Sequence, residues 1–153
     1  MGMLQKRLII EQLDRKIDEF KSIRNGHFTN GWIHSVRTAI NMSLKQLGER
    51  LSVTKQSVKG IEDREKDGSI TLKSLKAAGE ALDMKLVYGF IPKTGSIEKM
   101  IQIKATEVAT WIVLRASNNM SLEDQKVSDD RLEQAIKDRI DDILYKMPKY
   151  LWD

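Results

Sequence analysis

The 153 residues carry 26 Lys/Arg against 22 Asp/Glu, a net charge of +4, with 41% apolar and 31% charged residues. That is the composition of a helix-rich chain long enough for one compact domain and accessory elements. The absence of cysteine excludes disulfides, thiolate zinc sites and cysteine nucleophiles, and His27 and His34 alone are a poor basis for a metal site. No apolar run approaches the ~18 residues of a membrane span, and charge is scattered through the N-terminus where a signal peptide would be apolar, so a cytoplasmic protein with no membrane partner is expected.

Leu4, Leu8, Leu13, Ile17 and Phe20 recur at intervals of four, five, four and three, which predicts one apolar face of an N-terminal helix over Met3–Ile23. The helix ends at RNGHFTNG, where two Asn-Gly pairs punctuate the chain. A short helix is predicted over Trp32–Asn41, with Trp32, Ile33, Val36 and Ile40 as its apolar residues. Ser43 caps the next helix, LKQLGERL, whose Leu44, Leu47 and Leu51 face inward. Thr54 opens a further helix to about Arg64, and after the turn KDGS Thr71 caps another to about Asp83. KLVYGFIP is β-branched and aromatic and predicts a short strand at Lys85–Ile91. Thr94 and Ser96 offer caps for a long helix that is apolar on more than one side near Trp111–Leu114. After the loop NNMSLEDQKV, Ser128 caps a last helix through Leu132, Ile136, Ile140 and Ile143, which Pro148 stops.

Charge is uneven along this plan. Residues 34–76 hold nine Lys/Arg against five Asp/Glu, whereas residues 121–153 hold six against nine. The basic excess coincides with SVTKQSVKGIE, residues 52–62, and a basic block suits a polyanion. Five short helices around one apolar set, two of them joined by three or four residues, form the layout of a helix-turn-helix domain. Gly48 lets the two joined helices approach. Val53, Val58 and Ile61 are expected to be buried, and Glu62 is placed to hydrogen-bond within the domain. At about 100° per residue, Gln56, Lys59, Gly60 and Asp63 then face outward, flanked by Lys55 and Ser57. Thr54 as cap leaves N–H groups that attract phosphate. Gln matches adenine, and Lys matches guanine or phosphate, in the major groove. Gly60 lets backbone approach the groove. The candidate DNA-binding residues are Thr54, Lys55, Gln56, Ser57, Lys59 and Gly60, with Ser43 and Lys45 at the start of the preceding helix. A polar outer face is common on surface helices; what singles this one out is the agreement of caps, small residues and apolar positions over about 50 residues.

The stretch from Trp32 to Lys93 resembles the Cro/C1-type (XRE) helix-turn-helix family. The whole chain, through LDRKIDEFKSIR, the Gly31-Trp32 pair, LEDQ and the terminal LWD, is similar to its mobile mystery protein A group. The expected organisation is mainly α: an N-terminal helix and loop at 1–30, a five-helix Cro/C1-type domain at 31–84, and a strand and helices at 85–153. In that last part the surplus apolar residues of Met100–Leu114 and the strand Lys85–Ile91 are candidates for dimerisation or partner binding. The resemblance implies a homodimeric, operator-binding regulator encoded beside a Fic-domain protein, in the manner of an antitoxin. Lys55, Gln56, Ser57 and Lys59 match the positions that contact bases and nearby phosphates in that family. Ser52 departs from the usual turn glycine, and Gly60 from the side chain such helices present.

No GxSxG, Walker or HExxH motif occurs, so no enzyme is expected, and no cofactor. Asp129, Asp130 and Glu133 are read as favouring a helix N-terminus, not as a metal site. Thr94-Gly95-Ser96-Ile97-Glu98 approaches the Ser/Thr-x-x-x-Glu motif that restrains Fic enzymes, but Lys99 follows where Gly or Asn belongs. The alternative to a repressor is a protein-interaction module that neutralises a partner with little or no DNA binding.

Overall fold

A computed structural model describes residues 2–23, 28–122 and 128–153. Among these the chain forms seven α-helices: α1 (Met3–Phe20), α2 (Trp32–Ala39), α3 (Leu44–Leu51), α4 (Lys55–Asp67), α5 (Leu72–Ala81), α6 (Ile97–Leu122) and α7 (Asp129–Lys146). Short 3-10 turns follow α1 at Lys21–Ile23 and close the chain at Lys149–Trp152. The fold is mainly helical, and no described helix is long and apolar enough to cross a membrane. The helices divide into two compact units, residues 23–89 and residues 1–22 with 90–153.

In the first unit α2–α5 surround Ile33, Leu47, Val58, Ala78 and Leu82, with Val36, Leu44, Leu51, Ile61 and Leu75 packed against them. The local signals for these helices act as the sequence suggests. Ser43 Oγ accepts from Gln46 N, and the Gln46 side chain accepts from Ser43 N, a reciprocal capping box. Thr54 Oγ1 accepts from Ser57 N and Thr71 Oγ1 from Ser74 N, both at 3.1 Å. Four helices, not five, build this unit. Asp83, at φ 59, ends the helical stretch, and the residues after it lack helical periodicity.

The expected strand at Lys85–Ile91 does not form. The segment carries no regular secondary structure, and Val87, Tyr88 and Phe90 are exposed. Strand propensity reflects packing on a half-buried sheet, and no neighbouring strand exists among the described residues to supply one. The side chains of Trp32 and Ile40 are also mostly exposed, leaving Ile33 and Val36 to anchor α2.

The second unit is centred on α6 and α7. Ile101, Ala105, Ala109, Ile143 and Leu151 are buried together, and Ile10, Ile140 and Leu144 pack against them. Two alanines one turn apart permit close approach of the helices, and Leu151 of the terminal 3-10 turn fills the core. The start of α6 and the end of α7 line a shared groove through Ile101, Leu144 and Met147, so the two helices run in opposite directions. Helix α1 packs on α6 through Ile10. The single apolar face expected for α1 is absent, because the five-residue step from Leu8 to Leu13 turns about 140°. Leu4, Leu8 and Leu13 are exposed, and Ile17 is half-buried.

Helix α6 is longer than expected and continues to Leu122, through the beginning of the supposed loop. The Asp14 carboxylate accepts from its Ile97 and Glu98 N–H groups at 2.7 and 3.2 Å, and Ser96 Oγ accepts from Lys99 N. The segment that approaches the Fic-restraining motif thus forms a helix N-terminus. Asp129 and Asp130 occupy the first turn of α7, which starts after Ser128 with no side-chain hydrogen bond from that serine.

Candidate nucleic-acid interface

Helices α3 and α4 are joined by Ser52, Val53 and Thr54. Ser52 ends α3 in the left-handed region, at φ 57 and ψ 38, and the Val53 N–H bonds to Gly48 O at 2.8 Å. This brings the turn's backbone against α3: a Cβ at Gly48 would stand 2.6 Å from Val53 O, so only glycine fits. The same arrangement turns the Val53 side chain outward. It is 41% exposed, and the expectation that it is buried is corrected. Val58 is fully buried and Ile61 half-buried, so the inner face of α4 is as expected.

Two connections fix α4 against α2. Glu62 is almost fully buried. It accepts from Arg37 Nε at 2.6 Å and lies 3.1 Å from His34 Nδ1, while Arg37 also donates to Met42 O. Burial alone would raise the Glu62 carboxyl, but the Arg37 and His34 hydrogen bonds and their charges outweigh it and hold the group below its ordinary value. Three residues on, Glu65 accepts from the N–H groups of Trp32 and Ile33 at 2.8 and 2.9 Å, closing the N-terminus of α2. Gly31 has φ 83, and a Cβ there would stand 2.7 Å from Glu65 Oε2. The exposed Trp32 ring stacks edge-on against Phe28.

The outer face of α4 is polar. Thr54, Lys55, Gln56, Ser57 and Lys59 are exposed, and Gly60 is partly covered. The Thr54 and Ser57 hydroxyls lie 3.0 Å apart. The N–H groups of Lys55 and Gln56 have no protein acceptor among the described residues, as at any helix start beyond the reach of its cap. Lys59 is not free: its ammonium donates to Asp63 at 2.8 Å, and that hydrogen-bonded opposite charge holds it above its ordinary value. Ser43 and Lys45 are exposed at the start of α3, and Lys45 reaches Glu49 at 3.9 Å. Lys55, Gln56 and Ser57 therefore present one polar group set at the leading end of α4, with Lys59 a turn behind.

Glu62 hydrogen-bonds within the domain as expected, and sequence reasoning missed three features: Arg37 as its partner, the Glu65 clamp and the Lys59–Asp63 bridge. Only the last had a local signal, opposite charges four residues apart on a helix. Among the described residues no three acidic or imidazole side chains gather as a metal site. His27 and residues 123–127, with most of LEDQ, lie outside the described residues. Comparison with protein families, curated proteins and solved structures finds no match.

Proposed function

We propose that the chain is a Cro/C1-type helix-turn-helix regulator that binds double-stranded operator DNA, with α4 entering the major groove. The observation that carries this reading is the α3–turn–α4 pair. It is locked by a glycine contact and a buried Glu62, and it holds an exposed Lys55-Gln56-Ser57 edge outward at the capped start of α4. Phosphate contacts would come from Lys55, the Thr54 and Ser43 hydroxyls and Lys45. Gln56 suits adenine, and Lys59, once released from Asp63, suits guanine or phosphate.

One such helix reads one half-site, so the protein acts as a homodimer on a near-palindromic site. Met100, Ile103, Trp111 and Leu114 form an exposed stripe on α6, opposite its buried Ile101–Ala105–Ala109 side, and are the surface proposed for the partner copy. The biological role is that of an antitoxin autoregulating an operon shared with a Fic-domain partner, in a bacterial-type cytoplasm. The same apolar stripe, together with exposed Tyr88 and Phe90, favours a second reading, a partner-neutralising module with little DNA binding. Gln56→Ala and Lys59→Ala separate the two. Under the first reading both lose preference for the operator, while under the second a Fic partner co-purifies and no operator shift occurs even at low salt.

A further inference from the structure

Gly60 reads in sequence as a gap in the outer face of α4, and the structure shows what lies over it. Side chains on a helix lean toward its N-terminus, and Arg64, one turn later, lies back along α4. A Cβ built on Gly60 would stand 3.3 Å from Arg64 Nη1. The guanidinium therefore occupies the strip that a side chain at position 60 would fill, on the face that carries Gln56 a turn earlier.

The charges of α4 point the same way. Each of its four carboxylates is engaged elsewhere. Glu62 holds Arg37, Asp63 holds Lys59, Glu65 closes α2, and Asp67 accepts from the Ser69 N–H and hydroxyl. Arg64 is exposed, and among the described residues no carboxylate forms a salt bridge with it. Its guanidinium lies over Gly60 with no salt-bridge partner among the described residues, and Asp67 is the carboxylate that feels its charge.

We propose that Arg64 is a base-reading residue of α4, laid across Gly60 so that its planar fork meets the N7 and O6 edge of a guanine. This rests on the DNA-binding reading above. Gly60 is then a slot for Arg64, not a missing contact, and the guanidinium supplies a bidentate reader where the helix has no side chain of its own.

The test is selection of the full-length chain on a randomised duplex library, followed by titration of the selected duplex and of a scrambled duplex. Arg64→Lys keeps the charge and loses the fork. Gly60→Leu keeps Arg64 and fills the slot. Both introduce good helix formers at positions outside the core, and helicity by circular dichroism checks the fold. Each variant should lose a guanine preference at one position per half-site and weaken the selected duplex by about tenfold or more, and Arg64→Lys should leave the scrambled duplex little changed. A wild-type consensus that both variants select unchanged overturns the assignment of Arg64 while leaving the DNA reading in place. Uniform weakening of both duplexes by Arg64→Lys also overturns it, by placing Arg64 on a phosphate. A wild-type chain that selects no consensus defeats the DNA reading, and this assignment with it.

Discussion

Ser52 holds a left-handed conformation, φ 57 and ψ 38, in which its Cβ crowds the backbone, at a cost on the order of 1 kcal/mol. Ser52→Gly removes the crowding but frees the unfolded chain, so the expected net gain is at most about 1 kcal/mol, visible as a rise in thermal midpoint. Glu62 matters more. Glu62→Ala strands Arg37 as a buried charge and should destabilise the unit by about 3–5 kcal/mol in urea unfolding. Because the folded carboxyl sits below its ordinary value of 4.5, its contribution is fully present above that pH. It is lost as pH falls through the lower folded-state value, since protonation then favours the unfolded chain. In Glu62→Gln that acid-side loss should disappear from the stability profile. At this scale the caps at Ser43, Thr54 and Thr71 were legible because each bond spans three residues. Glu62 with Arg37, 25 residues apart, and Glu65 with α2, 33 residues apart, are products of packing that no local pattern encodes.

Among the elements, periodicity located every long helix and mistook some faces. Helix α6 illustrates why. It buries Ile101, Ala105 and Ala109 on one side and exposes Met100, Ile103, Trp111 and Leu114 on the opposite side, so its sequence has no single apolar stripe to read. The alanines, small and weakly apolar, carry the close contact. The expected strand failed for the complementary reason, since its residues suit a sheet that the described chain does not provide. The start of α6 depends on Asp14, 83 residues before Ile97. Asp14→Ala removes both capping bonds and should cost about 1 kcal/mol, measured as a lower urea midpoint with unchanged slope, while Asp14→Asn recovers part of it.

For the whole molecule, two cores built from separate residue sets mean that the α2–α5 unit carries its own apolar centre. The candidate interface lies wholly within it. What the sequence made legible was the polar edge Lys55-Gln56-Ser57; the commitment of Lys59 to Asp63 was signalled by their spacing of four but not read, and the outward turn of Val53 was concealed. If basic residues of this unit meet phosphates, binding must weaken steeply as salt rises, because each contact releases a counterion. The most direct measurement is a footprint of the full-length chain on its own promoter at low and physiological salt, with Gln56→Ala and Lys59→Ala beside the wild type. A near-palindromic protected site that fades with salt, and loses its sequence preference in both variants, is the predicted result. No protection at low salt, or the same protected site in both variants, would contradict the entry of α4 into the groove.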